Sequence, residues 1–468
     1  MRKTKIICTI GPASQSEEKL RELMLAGMNV ARFNFSHGDH ESHRKTFELF
    51  DSIRRELKNP AAAMLDTKGP EIRTGLMKDG KIFLEAGSPL VLTVEETEGT
   101  PERISITHKT LYRDVRPGGT ILIDDGLIEL TVEEIAGTDI HCRVMNSGFV
   151  SNRKGINVPG ADLSMPYLSE KDIADIRFGI EMGFDFIAAS FVSSADDLLE
   201  VRRLLDSKNC HSIRIIAKIE SAKALENIDD IIRLSDGIMV ARGDLGVELP
   251  AEVIPNTQRR IVEKCICAKR PVIIATQMLY SMVKSPRPTR AEVSDVASAI
   301  YERVDAVMLS DETAMGDFPV QSVETMSRIA REIERDETHF KPMIDMDMVS
   351  VNHEITAQLA RSAVRASTNL PIKYVVLDTK TGRTGRYLAA FRGRKTVMAV
   401  CYQLHAQRIL ALSYGVVPIL RNQELSDRYH FLVDALEFLD QYRKLDDGDL
   451  MAIVGGSFGP DGGASYVE

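Results

Sequence analysis

The first two thirds of the chain alternate between short apolar runs and longer amphipathic stretches. The apolar runs are rich in Val and Ile and nearly unbroken, which is typical of strands buried on both faces. They lie at 3–10, 28–35, 61–67, 184–191, 213–220, 236–242, 271–277 and 304–310. The stretches between them have helical spacing, and several open on a capping Ser or Asp and close on Gly. Eight strand signals, each followed by helical sequence, predict an α/β fold built on a closed (β/α)8 TIM barrel.

One connection interrupts this alternation between the third and fourth strand signals. Residues 69–167 contain turn signals such as Asp79-Gly80 and Asp125-Gly126. Apolar and polar residues alternate in the segments between these turns, as in TILID and LIELTVEEI. Such pieces predict antiparallel hairpins. Because a loop that follows a barrel strand emerges at the C-terminal mouth of the barrel, we expect a small β domain there, at 70–167, between barrel segments 1–69 and 168–338.

The last third of the chain returns to a shorter α/β alternation. After Glu337 the segment HFKPMIDMDM has Pro, charges and no periodicity, which favours a linker. A helix pattern at 350–369 is followed by strand signals at 374–378, 396–401, 416–420 and 451–455, with helical sequence between them. This pattern predicts a C-terminal open α/β domain at 346–468.

Composition narrows the class of protein. The chain has 59 Lys plus Arg and 68 Asp plus Glu, and its net charge of -9 disfavours nucleic-acid and anionic-membrane partners. No apolar run approaches the ~18 residues of a membrane span, and the start, MRKTKIICTI, has no signal-peptide pattern. The six cysteines are scattered without a CxxC pair, which favours reduced thiols over disulfides or zinc. We therefore expect a cytoplasmic protein.

Polar residues end six of the eight predicted barrel strands. Catalytic side chains of such barrels come from the C-terminal strand ends. A single polar strand end is an ordinary transition to solvent, but six at one rim predict a functional site. The residues are Arg32, Asn34, Ser36, Asp66, Thr67, Lys218, Glu220, Gly243, Asp244, Thr276 and Ser310.

The charges at this rim favour a hard cation and an anionic substrate. Lys218 and Glu220 are two residues apart on a strand and project on the same side; alone, such a pair is as often a structural ion pair. Asp244 adds a second carboxylate from the next strand, a set that suits Mg²⁺. Without His or Cys, zinc is disfavoured. Arg32 and Arg73 are forked donors suited to phosphate or carboxylate.

A second cation, either monovalent or divalent, also fits this rim, because Asn34, Ser36, Asp66 and the Thr67 carbonyl can supply oxygen ligands. The positive charge of Lys218 is placed where it could neutralise the negative charge of a group during its transfer. Phosphoryl transfer depends mainly on positioning and charge neutralisation, so this rim favours that chemistry. The chain has no GxxxxGK[ST] loop, so any nucleotide is held without a P-loop.

Seven segments, spread over most of the chain, resemble the pyruvate kinase family. The resemblance implies a (β/α)8 barrel, a β-barrel lid and a C-terminal regulatory domain. It implies that the phosphoryl group of phosphoenolpyruvate passes to ADP, giving ATP and pyruvate in the final step of glycolysis, with Mg²⁺ or Mn²⁺ and K⁺ in a homotetramer. The segments are TKIICTIGPAS (4–14), ARFNFSHG (31–38), LDTKGPEIRTG (65–75), IAKIES (216–221), ARGDLGVE (241–248), IIATQML (273–279) and PRPTRAEVSDVA (286–297).

The resemblance also implies roles for the rim residues. Lys218 corresponds to the residue that stabilises the moving phosphoryl group, and Glu220 and Asp244 to the divalent-metal ligands. Other residues match the family's substrate-binding positions: Arg32 contacts the substrate phosphate, and Gly243 and Asp244 lie along the substrate carboxylate. Thr276 matches the residue of the protonation step, and Ser310 matches the proton relay beside it. Arg73 matches a catalytic residue that contacts the nucleotide.

Further matches concern K⁺ and the nucleotide. Glu71 is the residue that in this family accompanies K⁺ dependence, whereas Lys there accompanies independence. The K⁺ ligands are matched by Asn34, Ser36, Asp66 and Thr67, and the positions that touch nucleotide phosphates by Asn34, Phe35, Ser36, His37, Arg73 and Lys154.

A candidate effector loop follows the strand signal YVVLD and opens a helix. Backbone amides, hydroxyls and a helix N-terminus can bind phosphate, although an ordinary glycine turn would read the same way. A sugar bisphosphate, a sugar monophosphate and a nucleotide all remain open as effectors, and a second loop at 455–463 has no basic residue. The residues of the effector loop are Thr379, Thr381, Gly382, Arg383 and Thr384.

Two departures and two alternatives complete the sequence interpretation. The family commonly has LSGETA and MLESM, where this chain has Asp311 and Tyr280.

A Mg²⁺-dependent aldolase or lyase acting on pyruvate-like substrates could use the same rim, but it would not need the lid, Arg73 or the monovalent site. A catalytically silent homologue would be expected to lose Lys218 or a carboxylate, and neither is lost.

Overall fold

The computed structural model describes residues 1–161, 163–336, 346–349, 354–421, 430–441, 445–456 and 464–468. Three features expected from the sequence fall partly outside these residues. They are the linker at 339–348, of which 339–345 lies outside, the helix pattern at 350–369, of which 350–353 lies outside, and the second C-terminal loop at 455–463, of which 457–463 lies outside. None of the helices in the described ranges is both long and apolar enough to cross a membrane.

Eight parallel strands close into a barrel, which confirms the predicted fold class. Each strand lies inside one of the eight apolar runs, and the first strand closes the barrel by pairing with the last, Lys5 opposite Ala306 and Cys8 opposite Leu309. In chain order the strands are Lys5–Ile10, Val30–Asn34, Ala62–Asp66, Phe186–Ala189, Arg214–Ile219, Gly237–Ala241, Val272–Ala275 and Ala306–Leu309.

Helices cover the outside of the barrel, and their starts follow the capping signals in the sequence. Six of them open on a Ser, Asp or Thr whose side chain accepts the amide three residues later: Ser16, Asp39, Ser169, Ser194, Ser221 and Thr289. The helices are Glu17–Ala26, His40–Glu56, Glu170–Met182, Ala195–Ser207, Ala222–Glu226, Ile228–Leu234, Arg242–Glu248, Ile254–Cys267, Arg290–Tyr301, Asp311–Ala314 and Pro319–Arg335.

Alternate residues of each barrel strand point inward and outward, as the period of two requires. Inward side chains such as Ile7, Met64 and Phe186 form a buried cluster in the barrel. Outward side chains such as Phe33 pack against the helices, where Phe33 meets Phe184 with ring centroids 5.3 Å apart. The polar rim residues therefore stand on a scaffold that is packed on both sides.

The inserted segment forms a seven-stranded sheet that closes on itself. Its two edges are joined because the amide of Thr107 donates to the Arg73 carbonyl at 2.9 Å and that of Gly75 to the Ser105 carbonyl at 2.8 Å. The hairpin expected from TILID and LIELTVEEI is present, but Pro89–Thr93 and Arg103–Ser105 pair in parallel. In spatial order the strands are Ile72–Arg73, Gly155–Asn157, Thr120–Ile123, Ile128–Ala136, Asp139–Val144, Pro89–Thr93 and Arg103–Ser105.

Smaller elements complete the inserted domain. Lys81–Leu84 and Gly148–Ser151 form a two-stranded antiparallel sheet, and Leu111–Asp114 is a single helical turn. The domain has a hydrophobic core of its own, which includes Leu92, Ile121 and Leu130.

The C-terminal segment is an open five-stranded sheet with helices, which confirms the predicted α/β domain. Four strands are parallel, and the last pairs antiparallel at the edge. In spatial order they are Val416–Leu420, Thr396–Cys401, Ile372–Thr379, Leu450–Gly455 and Tyr466–Val467, and the helices are Ile355–Asn369, Arg383–Ala390, Leu404–Leu410 and His430–Gln441.

The C-terminal domain docks on the N-terminal face of the barrel through buried charges. Asp305, just before the last barrel strand, accepts two hydrogen bonds from the Arg392 guanidinium and one from the Tyr414 amide. Lys5 in the first strand donates to the Val416 carbonyl at 2.5 Å. These contacts join the two domains on the face opposite the polar rim.

Candidate active site

The centre of the polar rim is a buried ammonium group between two carboxylates. Lys218 lies near the end of strand Arg214–Ile219, with its Nζ 3.2 Å from Asp66 Oδ1 and 2.9 Å from Glu220 Oε1. It also donates to the Ser190 hydroxyl at 2.7 Å. Lys218 is 8 % exposed and both carboxylate residues are 1 % exposed. Lys218 and Glu220 therefore share a side of the strand, as their spacing predicted.

Arg32 extends this charge cluster to the neighbouring strand. Its Nε donates to Asp66 Oδ2 at 2.6 Å, and its Nη1 donates to the Thr9 hydroxyl at 3.0 Å. Asp66 thus lies between the two cations, Arg32 and Lys218. Burial alone would raise the pKa of the Asp66 carboxyl, but the positive charges of Arg32 and Lys218 lower it below its ordinary value.

The same interactions fix the charge of Lys218. Burial acts to lower the pKa of its ammonium, but the carboxylates of Asp66 and Glu220 outweigh burial and raise that pKa. Glu220 differs, because burial and the nearby negative charge of Asp244 together outweigh Lys218 and raise its pKa to about 7. Lys218 is therefore a fixed positive charge, while Glu220 and Asp244 repel each other.

Asp244 and Gly243 occupy a different element from the one that the sequence predicted. Strand Gly237–Ala241 ends before them, and both lie in the first turn of helix Arg242–Glu248. The Gly243 amide donates to the Thr276 hydroxyl at 2.8 Å. The chain turns from strand to helix without a loop, so these two residues remain beside the rim.

Thr276 follows strand Val272–Ala275 in a strained conformation. Its φ is +68° and that of Gln277 is +53°, a region that β-branched residues rarely adopt. Arg242 holds this turn, because its Nη2 donates to the Thr276 carbonyl at 2.9 Å while its Nη1 lies 2.7 Å from Asp295 Oδ1. The sequence interpretation assigned no role to Arg242, although it ends an apolar run and stands in the ARGDLGVE segment.

Ser310 lies just after the last barrel strand. Its amide donates to Glu312 Oε2 at 2.8 Å. Its hydroxyl oxygen is buried and has no hydrogen-bond partner among the residues that the structure describes. A buried hydroxyl without a partner is costly, so this oxygen is an unsatisfied polar group at the rim. The departure beside it, Asp311, is exposed, and so is Tyr280.

The four oxygen-bearing residues expected at a monovalent cation lie at the ends of two paired strands. Asn34 is opposite Asp66 in the register of the barrel. Asn34 Oδ1 accepts the Ser36 amide at 3.1 Å, and the Thr67 carbonyl accepts the Ser190 hydroxyl at 2.7 Å. The structure therefore places these four residues close to one another at the rim.

The predicted nucleotide-phosphate residues divide into two groups. Arg73 and Lys154 are on the inserted domain, where Arg73 Nη2 lies 2.7 Å from Glu71 Oε1 and Lys154 Nζ lies 2.9 Å from Asp124 Oδ1. His37 is exposed near the rim. Phe35 does not join them, because its buried ring stacks on His43 at 4.1 Å in the layer between barrel and helices. Its backbone amide already donates to the Asp66 carbonyl at 3.0 Å.

A cleft separates the inserted domain from the barrel mouth. Its lining includes Glu71 and Asn157 of the inserted domain and Ser221, Asp244 and Glu248 of the barrel. The buried charges at Lys218 lie at the strand ends beneath this mouth. A substrate in the cleft would therefore meet residues of both domains.

The expected effector loop opens a helix, as the sequence predicted. Gly382 has a φ of +77° immediately before helix Arg383–Ala390. Its amide donates to the Thr379 hydroxyl at 3.0 Å, and the Arg383 amide faces the Thr381 hydroxyl at 3.4 Å. Thr379 and Thr384 are buried, whereas Thr381 is exposed.

Comparison with known proteins identifies the family. Residues 1–323 match the family model "Pyruvate kinase, barrel domain", and residues 357–467 match "Pyruvate kinase, alpha/beta domain". A pyruvate kinase of Bacillus licheniformis is 46% identical over 470 residues, covering 100% of this chain and 80% of that protein. One of Staphylococcus saprophyticus is 45% identical over 459 residues, covering 97% of this chain and 78% of that protein.

A solved structure gives the same result. The crystal structure of a pyruvate kinase from Cryptosporidium parvum superposes with a TM-score of 0.91 at 39% identity, covering 97% of this chain and 94% of that one. The family resemblance seen in the seven sequence segments is confirmed, and the chain is a phosphotransferase that belongs to the pyruvate kinase family.

Proposed function

We propose that the chain transfers the phosphoryl group of phosphoenolpyruvate to ADP, giving ATP and pyruvate, and that it requires Mg²⁺ or Mn²⁺ together with K⁺. The observation that carries this proposal is the buried Lys218 ammonium between Asp66 and Glu220 at the strand ends. A fixed positive charge in a site shielded from water suits a reaction in which negative charge moves between oxygens.

Lys218 and Arg32 would act on the phosphoryl group. The raised pKa of Lys218 keeps its ammonium charged, so it can neutralise the group during transfer. Arg32 uses Nε and Nη1 for Asp66 and Thr9, which leaves its Nη2 donors for the substrate phosphate. Because both cations are held by Asp66, they are positioned before the substrate arrives.

Glu220 and Asp244 are the residues that would hold the divalent cation. Burial, together with the negative charge of Asp244, raises the pKa of Glu220, and the Asp244 carboxylate takes no hydrogen bond from any residue in the described ranges. Two such carboxylates without His or Cys fit a hard, oxygen-preferring ion. A divalent ion bound there supplies positive charge beside the substrate oxygens.

Protonation of the enol product would use Thr276 and Ser310. The Thr276 hydroxyl is held by the Gly243 amide and by its own hydrogen bond to the Ala275 carbonyl at 2.7 Å. The buried Ser310 hydroxyl, which has no partner in the part of the chain described, can accept and pass on a proton. We assign Thr276 to the protonation step and Ser310 to its relay.

The cation and nucleotide assignments complete the proposal. Oxygens of Asn34, Ser36, Asp66 and Thr67 would bind K⁺, and the adjacency of Asn34 and Asp66 supports this assignment. Arg73 and Lys154 on the inserted domain would contact nucleotide phosphates when the two domains approach, together with the exposed His37 and its neighbours Asn34 and Ser36.

The proposed effector binding and oligomeric state rest on the chain's membership in the family. We infer that a sugar phosphate or a nucleotide binds the effector loop, where Gly382 places backbone amides at a helix start. We also infer a homotetramer, which light scattering of the purified chain would test.

Replacing Lys218 tests the proposal. Lys218→Met should abolish nearly all phosphoryl transfer and still bind Mn²⁺, measured by electron paramagnetic resonance, because Glu220 and Asp244 remain. The control is Lys208→Met, since Lys208 is exposed after helix Ala195–Ser207; it should keep the parent rate. Full activity in Lys218→Met would overturn the assigned role.

A further inference from the structure

Both connections between the barrel and the inserted domain meet one short turn at the barrel mouth. The chain leaves the barrel through Gly69, after strand Ala62–Asp66, and returns through Tyr167, before helix Glu170–Met182. The turn consists of Ser190 and Phe191, which directly follow strand Phe186–Ala189. We call it the Ser190–Phe191 turn.

Tyr167 fastens the return connection to this turn. Its hydroxyl donates to the Ser190 carbonyl at 3.0 Å. Both residues are buried, and the Tyr167 ring belongs to the hydrophobic core of the barrel. Because a buried carbonyl that loses its donor is destabilising, this hydrogen bond holds the Ser190 backbone in a fixed position relative to the return connection.

Gly69 packs against the same turn from the exit connection. Its φ is +71°, and a Cβ atom added to it would lie 2.9 Å from the Ser190 carbonyl oxygen and 3.2 Å from Cδ2 of Phe191. Glycine alone accommodates both the left-handed conformation and this close approach. The Ser190 carbonyl therefore lies between the two connections of the inserted domain.

A buried carboxylate ties the two connections to each other. Asp172 Oδ1 accepts the Lys68 and Gly69 amides of the exit connection, each at 3.1 Å. Asp172 Oδ2 accepts the Ser169 amide at 3.2 Å and the Ser169 hydroxyl at 2.5 Å, both from the return connection. Neither connection can therefore move without disturbing the other or the Ser190–Phe191 turn.

The opposite side of the turn holds the charged pair at the rim. The Ser190 hydroxyl accepts a hydrogen bond from Lys218 at 2.7 Å. The Phe191 amide donates to Glu220 Oε2 at 2.5 Å. Phe191 has a φ of +54°, a strained conformation for an aromatic residue that persists only when its surroundings support it. The direction of both hydrogen bonds thus depends on what packs behind the turn.

We propose that Tyr167 is a positioning residue for phosphoryl transfer, acting through the Ser190–Phe191 turn on the Lys218 ammonium and the Glu220 carboxylate. The inference rests on the proposed function, in which Lys218 neutralises the phosphoryl group and Glu220 holds the divalent cation. Tyr167 acts on the backbone of the residue that binds Lys218. Electrostatic stabilisation requires such groups to be held in place before the reaction, and a small displacement lowers the rate.

Tyr167→Phe tests this inference, because it removes the hydroxyl and keeps the buried ring. Two properties of the full chain are measured: Mn²⁺ affinity without substrate, by electron paramagnetic resonance, and kcat and KM for phosphoenolpyruvate at saturating Mg²⁺ and K⁺. We expect the dissociation constant for Mn²⁺ to rise at least threefold and kcat to fall about tenfold. KM should change less than twofold, because Arg32 and Gly243, which we assign to the substrate, lie on other elements.

Two further variants separate positioning from a general effect on the fold. Tyr280→Phe removes the hydroxyl of an exposed tyrosine and should keep the parental Mn²⁺ affinity, kcat and KM. Ser190→Ala removes the hydroxyl that accepts the hydrogen bond from Lys218. In that background Tyr167→Phe should lower kcat less than it does in the parent, because the link to Lys218 is already broken. It should still weaken Mn²⁺ binding, because the Phe191 amide remains.

Two results would overturn the inference. One is a parental Mn²⁺ affinity together with a parental kcat in Tyr167→Phe, even with a lower melting temperature, since the hydroxyl would then only stabilise the fold. The other is a fully additive loss of kcat in the double variant, since Tyr167 would then act by a route other than Ser190. Absence of turnover in the parent chain would instead contradict the proposed function, and the Mn²⁺ measurements would still decide whether Tyr167 positions Glu220.

Discussion

Glu71 Oε1 lies 2.7 Å from Nη2 of Arg73, where the chain leaves the barrel for the inserted domain. Nη1 of the same arginine donates to the Arg153 carbonyl at 2.8 Å. Glu71 also lines the cleft between the two domains. One carboxylate therefore orients the arginine that we assign to the nucleotide and adds a negative charge to the cleft.

Glu71→Lys tests the monovalent cation. A lysine there supplies a fixed positive charge beside the rim, so we expect the ratio of the rates with and without K⁺ to fall at least tenfold. The control, Glu71→Gln, loses the ion pair with Arg73 without adding a cation, and it should stay dependent on K⁺. An unchanged K⁺ requirement in Glu71→Lys would contradict the assignment.

Thr276→Ala tests the protonation step. The variant removes a hydroxyl that the Gly243 amide holds at 2.8 Å. Loss of a positioned proton-transfer group costs about 10²–10⁴ in rate. We expect a loss of this size in the exchange of pyruvate methyl protons with deuterated water, followed by nuclear magnetic resonance. Thr276→Ser keeps the hydroxyl and should exchange at a rate near the parent's, and parental exchange in Thr276→Ala would show that Thr276 has another role.

Thr384→Ala tests the effector loop. Thr384 is buried at the start of helix Arg383–Ala390. We expect weaker activation by sugar phosphates while the rate without effector is unchanged, because the loop is remote from the rim. Thr368→Ala, on the exposed end of helix Ile355–Asn369, serves as control. If Thr384→Ala instead lowers the rate without effector, the loop has a structural role.

Lys5 makes stability depend on pH. Burial, reinforced by the charge of Arg2, lowers the pKa of its ammonium from 10.5 to about 7. Between these values the unfolded chain binds the proton that the folded chain has released, so the unfolding free energy rises with pH, by at most about 1.4 kcal/mol per pH unit. Below pH 7 both states are protonated and the effect ends.

Lys5→Met, which removes the titrating ammonium, tests this pH dependence. The unfolding free energy of the parent, measured in urea, should rise relative to that of Lys5→Met between pH 7 and pH 10. Lys208→Met, which removes an exposed lysine, should remain parallel to the parent. Parallel curves for Lys5→Met as well would mean that Lys5 is charged in the folded chain throughout this range.

The barrel could be predicted because its strands are buried on both faces and read as unbroken apolar runs. The position of Asp244 could not, because the chain passes from strand Gly237–Ala241 into a helix without loop residues. The parallel pairing of Pro89–Thr93 with Arg103–Ser105 was missed for a different reason. Turn residues predict where a chain reverses but do not show which distant strand it joins.

Individual site residues also differ in whether a local sequence pattern could reveal them. Lys218 and Glu220 were found because they follow an apolar run at a spacing of two. Ser190, which accepts the hydrogen bond from Lys218, ends another such run and carried the same signal. Arg242 also ends an apolar run, at 236–242, but its role depends on contacts with Thr276 and Asp295 that only the fold brings together.

The most direct test of the central claim is pyruvate formation from phosphoenolpyruvate and ADP with Mg²⁺, measured in K⁺ and again in a buffer whose only monovalent cation is Na⁺. The proposed function predicts fast turnover in K⁺ and a collapse of the rate without it. Fast turnover in both buffers would retain the reaction and contradict the K⁺ site. Absence of turnover in both, even with sugar phosphates added, would contradict the proposed function itself.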